Sequence, residues 1–340
     1  MENQISTAPR ARLAWLDILK GFGIILVVLG HVYQNDLVFD WIYSFHMPLF
    51  FVAAGFVYKL TPVLKHIKRR LFTVIVPYFS FGLIILLYWY FIERRFRASS
   101  FGLVDSLLGL LRGQYNHLEF NVHLWFLPCF FLTVVLFNIL VNIDKKKRLA
   151  YAVSALAALL FILFDLPELP WGINRVCQYI GFYALGHLMA CVNAHQLVQK
   201  QHKAVQAAIA VALLALNFAL VTFLPDIPHR APDHILYLVI AAIGVLAFMT
   251  VSLLIQKAHW LECLGRSSLT ILCLHGPVYR VIVKIISMVI STSTDAVRAN
   301  VLLAILCSAV TLGICFLSHF VIARILPWMV GQKPKAKAAA

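Results

Sequence analysis

The stretch DILKGFGIILVVLGH, residues 17–31, is oily enough to sit in lipid and yet carries Asp17, Lys20 and His31. A charge near the middle of a membrane helix costs roughly 2.5–3.5 kcal/mol on the insertion scale, so a chain retains one only where something uses it. At about 100° per residue, the eleven steps from Lys20 to His31 return to within about 20° of one face, and Asp17 falls about 40° from His31. One helix stripe therefore carries all three. Lys20 and His31 stand about 16 Å apart along the axis, half the hydrocarbon thickness, so they must serve different parts of one extended ligand or pathway. Asp17 and Lys20, three apart, can pair and lower each other's cost, which leaves Asp17 equally readable as a structural ion-pair partner. His31 carries a group that takes and gives a proton near neutral pH.

The rest of the chain has the same character. Of its 340 residues 62% are apolar and 13% charged, against roughly 45–50% and 25% in soluble domains. Apolar runs predict an all-α polytopic membrane protein of about ten transmembrane helices, at 13–34, 37–58, 71–92, 124–143, 149–166, 174–192, 204–224, 234–255, 269–290 and 300–328. We read 1–12 as a polar cytoplasmic tail, 13–328 as the membrane domain and 329–340 as a basic cytoplasmic tail; the first run contains Asp17 and Lys20 and no small-residue cleavage site, so it reads as a retained span. The formal charge of +15 lies largely in short clusters, Arg10/Arg12, Lys59 to Arg70, Lys145 to Arg148, Lys200/Lys203, Lys257/Arg266 and Lys333 to Lys337. All fall on the inner side if both termini are cytoplasmic, which is the positive-inside pattern rather than a nucleic-acid footprint. Seven cysteines sit in or beside apolar runs, with no CxxC pair and no histidine spacing suited to zinc, so no metal site is expected.

Other polar residues mark a site more weakly. Glu93 to Arg97, ERRFR, falls on the outer side and opens a stretch of roughly 30 residues that suits a surface-lying or re-entrant element. Its Arg94 and Arg95 read either as contacts for an acidic or phosphate-linked acceptor or as interfacial anchors. FHMPLFFVAAGFVY, 45–58, places His46 near the outer end of the second span, allows a kink at Pro48, and offers Ala53, Ala54 and Gly55 to a closely packed neighbour. In HLWFLPCFFL, 123–132, His123 and Trp125 open the fourth span; the tryptophan is a belt residue or a face for a sugar ring. LGRSSLTILCLHGP, 264–277, sets Arg266 at the inner side and His275 about two turns into the ninth span, before a Gly276–Pro277 pair that predicts irregular backbone.

Taken in order, LDILKGFGIILVVLGH, FHMPLFFVAAGFVY, KRRLFTVIVPYFSFG, HLWFLPCFFL and LGRSSLTILCLH make the chain resemble the integral-membrane acyltransferase type 3 family, in particular its fucose 4-O-acetylase-like branch. The family pattern of a basic residue, ten positions and a histidine falls on Lys20 and His31, with lysine where arginine is usual, which keeps the charge and loses the planar fork. The resemblance implies transfer of an acyl group, most often acetyl from cytoplasmic acetyl-CoA, to a hydroxyl of a glycan or lipid-linked sugar at a bacterial inner membrane.

The residues suit that chemistry. Lys68, Arg69, Arg70 and Arg266 offer charge where the CoA phosphates would arrive, although inner-side Lys and Arg also simply set topology. Lys20 faces the donor on this reading. A thioester is already activated, so what remains is to take a proton from the attacking hydroxyl and to stabilise an oxyanion. His31 is the expected base or a transient acyl carrier, with His123 and His275 expected in oxyanion stabilisation or positioning, and His46, Trp125, Arg94 and Arg95 in acceptor binding. The expected partners are a glycan or lipid-linked sugar acceptor and membrane lipids, and nucleic acid is not expected. Two rivals are a secondary transporter of a sugar or lipid intermediate, with Asp17, Lys20 and His31 as an ion path, and a non-catalytic membrane scaffold. A Gly-rich phosphate loop, the mark of an ATP-driven pump, is absent from the sequence.

Overall fold

The computed structural model describes residues 13–97, 101–164, 166–224 and 235–333. The whole of the expected amino-terminal tail, with Arg10 and Arg12, and Lys335 and Lys337 of the carboxyl-terminal one lie outside these residues. The described chain is all helical: α1 (Ala14–Val32), α2 (Asp36–Tyr43), α3 (His46–Phe56), α4 (Val63–Arg70), α5 (Val76–Phe91), α6 (Leu103–Arg112), α7 (Phe126–Ile143), α8 (Arg148–Leu163), α9 (Ile173–Cys191), α10 (Ala194–Gln199), α11 (Lys203–Phe223), α12 (Ile235–Ile255), α13 (His259–Arg266), α14 (Ser268–Val289), α15 (Thr294–Ala299) and α16 (Val301–Ile325). Among the described residues, eight helical segments are long and apolar enough to cross a membrane. Two further expected spans are present as α8, which has 16 residues, and α9, whose Asn174, Arg175, Gln178 and His187 make it more polar. The protein is a multi-pass membrane protein.

At the centre stands α1, packed on α3, α12, α13, α14 and α16. Its polar stripe survives burial because Lys20 Nζ pairs with Asp17 Oδ1 at 2.6 Å. Peripheral helices show the opposite pattern: α11 turns Val211 and Leu216 outward, and α16 turns out Leu302 and Leu317. In water such a surface would drive aggregation; against lipid tails it is neutral.

Small residues set how closely the helices cross. Gly55 on α3 lies against the Tyr183 carbonyl of α9, and Gly186 on α9 lies against the Val52 carbonyl of α3, so a β-carbon at either position would overlap the partner's backbone. This is the close neighbour that the Ala53–Ala54–Gly55 run anticipates, and helix association without a hydrophobic force between helices depends on such contacts.

Prolines bend the chain differently from expectation. Pro48 falls in the first turn of α3, where its missing N–H has no intrahelical acceptor anyway, and the break comes earlier, at Ser44 and Phe45. Pro77 cannot donate to the carbonyl of residue 73, and the helix widens just before it into a π turn, Leu71–Ile75. The stretch after Glu93 folds onto the bundle: α6 sets Leu110 beside Gly82, and Tyr78 Oη donates to the Leu110 carbonyl at 2.5 Å.

Candidate active site

A proline opens the site. The α14 helix runs unbroken through Pro277, contrary to the irregular backbone expected there, but Pro277 has no N–H to give the carbonyl of Cys273 one turn earlier. Asn121 supplies the missing donor, its Nδ2 lying 2.7 Å from that oxygen. The amide's other atom must then point away from the carbonyl, and Asn121 Oδ1 lies 2.9 Å from His123 Nδ1. Gly276 leaves room for both side chains, since a β-carbon there would press on Asn121 Oδ1 and His123 Nδ1. The Gly–Pro pair of one helix thus aims a histidine carried by the short 3₁₀ turn Val122–Trp125 ahead of α7.

His275 is held by its own helix. Its Nδ1 lies 2.8 Å from the Leu272 carbonyl and 3.1 Å from that of Ile271. Carbonyls only accept, so the proton sits on Nδ1; Nε2 is buried without a hydrogen-bond partner. His31 arrives from the last turn of α1, where Arg298 donates to the carbonyls of His31 and Val32, each at 3.1 Å, and closes the helix end. Tyr43 Oη lies 2.7 Å from His31 Nδ1 and 3.4 Å from its Nε2, so the shorter contact holds the ring at Nδ1.

The three imidazoles meet. Ring centroids are 4.0 Å apart for His31 and His123, 4.2 Å for His123 and His275, and 5.3 Å for His31 and His275. The Nδ1 atoms of His123 and His275 are each held by an oxygen, which leaves Nε2 as the nitrogen of each ring that can face the cluster.

A cavity of about 720 Å³ opens from this cluster, lined by His31, Tyr43, His46, Tyr115, His123, Trp125, Asn174, Arg175, Gln178, Tyr179 and Tyr237, among others. Its size falls in the range of small-molecule sites. His46 is buried, with Nδ1 2.9 Å from the Ile42 carbonyl, so it both lines the cavity and bonds backbone. The Arg175 guanidinium lies 4.7 Å from the ring centroid of Trp125 and 4.9 Å from that of Tyr115, which covers a face of each ring with a cation.

A second cavity of about 240 Å³ lies toward the other end of α1, with Leu16, Lys20, Ile24, Ala54, Phe130 and Ser268 in its wall. Along α1, Lys20 and Ile24 line this cavity and Val27 and His31 line the larger one. Met47 and Leu272 line both. The stripe read from the sequence therefore runs past two chambers that share a wall.

The remaining candidates sit at the margins. Lys68 and Arg69 are exposed and Arg70 and Arg266 partly so; none lines the smaller cavity, though Val74 and Ser268, close to them in the chain, do. Arg266 donates to Cys263 Sγ at 3.0 Å. Arg94 and Arg95 lie outside both cavities, and Arg94 packs 5.6 Å from the Trp89 ring and 5.7 Å from the Tyr90 ring, the geometry of an interfacial anchor. Glu93 accepts from Arg280 at 2.6 and 3.1 Å, and Arg280 also donates to the Phe120 carbonyl at 2.8 Å.

The family model described as an acyltransferase domain, acyltransferase 3, matches residues 13–320. The chain belongs to the acyltransferase 3 family. The match takes in the histidine cluster and both chambers of this membrane acyltransferase. No curated protein and no solved structure matches the chain. Sequence reasoning missed Tyr43, Asn121, Arg175 and Gln178. Each had a faint signal: Tyr43 stands one helical turn before His46, Asn121 two positions before His123, and Arg175 and Gln178 are polar groups one turn apart in an otherwise apolar run.

Proposed function

We propose that the protein is an O-acetyltransferase of the fucose 4-O-acetylase-like kind, carrying acetyl from cytoplasmic acetyl-CoA to a hydroxyl of a cell-envelope or exported glycan at a bacterial inner membrane. One observation supports this above the rest: a single helix stripe lines both chambers, with Lys20 in the smaller and His31 in the larger. A reaction that joins a donor from one side to an acceptor from the other needs two chambers and a passage between them.

On this reading the thioester end of the donor enters the smaller chamber past Lys20, while its phosphates stay near Lys68, Arg69, Arg70 and Arg266. The sugar occupies the larger chamber, where Gln178 and Asn174 can bond hydroxyls and Arg175 can pair an acidic or phosphate-linked group. With its Nδ1 proton on the Tyr43 oxygen, His31 has a lone pair on Nε2 to take the proton of the attacking hydroxyl. The hydroxyl oxygen bonds to the acyl carbon, the carbon–sulfur bond breaks, and the CoA thiolate leaves. The wall at Met47 and Leu272 favours a variant in which His31 Nε2 itself carries the acetyl outward as an acyl-imidazole.

The test is transfer of label from acetyl-CoA, labelled in its acetyl group, to envelope glycan by the purified protein in lipid vesicles. Wild type should transfer and His31→Ala should insert normally and transfer nothing; transfer by the variant at the wild-type rate refutes the assignment. An acetyl-histidine trapped in the absence of acceptor would make His31 the carrier. Movement of sugar across the vesicle membrane without any donor would point instead to the transporter.

A further inference from the structure

We propose that His31, His123 and His275 form a binding site for a divalent transition-metal ion such as Zn²⁺, and that the ion, when bound, shuts off acyl transfer. Among the described residues these three form a group whose ligand nitrogens all lie within 4.8 Å of one another. They come from α1, the turn before α7, and α14, 92 and 152 positions apart, so no local spacing announces them.

The second observation is what lies behind each ring. His123 Nδ1 faces Asn121 Oδ1 at 2.9 Å, His275 Nδ1 faces the Leu272 carbonyl at 2.8 Å, and His31 Nδ1 faces Tyr43 Oη at 2.7 Å. Histidines that bind metals are typically held this way, the far nitrogen donating to an oxygen so that the near one presents its lone pair. His275 Nε2 illustrates the need: it is fully buried and without a partner. An unpaired buried acceptor is a cost that a cation removes. The Asn121 amide is committed on both sides, to His123 and to the Cys273 carbonyl, and so cannot turn its N–H₂ toward the ring.

The chemistry selects the metal. Three neutral imidazoles suit Zn²⁺, Co²⁺, Ni²⁺ or Cu²⁺ and do not suit Mg²⁺ or Ca²⁺, which seek oxygen. Tetrahedral coordination brings nitrogens to about 3.4 Å from one another, so the rings close in as the ion binds. His31 and His123 line the larger cavity, from which water or an anion can reach the ion and complete its coordination. The inhibitory part rests on the acyltransfer reading, because the metal then takes the Nε2 lone pair that His31 offers the acceptor hydroxyl.

The experiment uses tag-free protein in lipid nanodiscs, loaded with Zn²⁺, desalted and measured for metal by mass spectrometry. Wild type should keep about one ion per chain, and Co²⁺ in its place should show the visible absorption of a tetrahedral, nitrogen-ligated ion. His123→Ala and His275→Ala should each abolish retention, and Asn121→Leu, which leaves all three ligands in place, should weaken it about 10- to 100-fold. Wild type that retains no Zn²⁺ and gives no Co²⁺ spectrum overturns the proposal, as does equal retention by the triple His→Ala variant. Transfer of acetyl in the wild type should fall as Zn²⁺ fills the site. Binding without any transfer under metal-free conditions would sink the acyltransferase reading and leave the metal site standing; transfer undisturbed by a filled site would overturn the inhibitory part alone.

Discussion

Asn121 shows how one side chain decides what a histidine can do. It spends its donor on a carbonyl that Pro277 leaves bare and its acceptor on His123 Nδ1. Asn121→Leu strips both partners inside the bundle, at a cost of about 1–3 kcal/mol for groups left unsatisfied. On the proposed acetyltransferase reading, the expected outcome is a lower thermal midpoint together with a fall in kcat for acetyl transfer and an unchanged KM for the donor, since the smaller chamber is untouched. Pro277→Ala acts on the same link from the other side. It restores an N–H within reach of the Cys273 oxygen, which then competes with Asn121. Helix stability should hold or rise while transfer falls, and that opposition, read by thermal scanning and by kinetics, separates positioning from simple damage.

The α3–α9 pair holds one wall of the site through two glycines. Gly186→Leu puts a branched side chain where even a β-carbon meets the Val52 carbonyl, and overpacking of this kind costs at least about 1–3 kcal/mol. We expect a much lower midpoint and loss of a monodisperse peak on size-exclusion chromatography. Gly313 of α16 is the control, because a β-carbon there would meet nothing within 4 Å. Gly313→Ala should be neutral or stabilise by up to about 1 kcal/mol through helix propensity. Equal effects of the two substitutions would show that α3 and α9 do not depend on close approach.

For the whole molecule, the decisive feature is that two chambers share Met47 and Leu272. A wall of one flexible and one branched side chain can open by rotamer change, because methionine adapts to many shapes. On the proposed reading, Met47→Trp should block passage: donor still binds, measured by equilibrium binding of acetyl-CoA, while transfer falls at least tenfold. Met47→Ala should widen the passage and raise the relative rate with longer acyl donors, read as a ratio of kcat/KM values. Transfer by Met47→Trp at the wild-type rate would mean that the two chambers do not act in series.

An all-helical membrane chain of the acyltransferase 3 family was legible in the amino-acid order, because apolar run length and the ordered motifs are local properties. So was the polar stripe of α1, since 3.6-residue periodicity alone puts Lys20 and His31 on one face. The number of strongly apolar spans was less legible. The α9 helix carries cavity-lining polar groups that dilute its hydropathy, and a window of sequence cannot tell polar-and-buried from polar-and-solvated. Which histidines meet, that His275 Nε2 is left without a hydrogen-bond partner, and that Arg175 rather than Arg94 or Arg95 reaches the cavity were decided only by the tertiary structure. The physical reason is distance along the chain: these contacts join residues separated by up to hundreds of positions, and their geometry is set by helix crossings and by one proline-freed carbonyl, neither of which leaves a periodic trace.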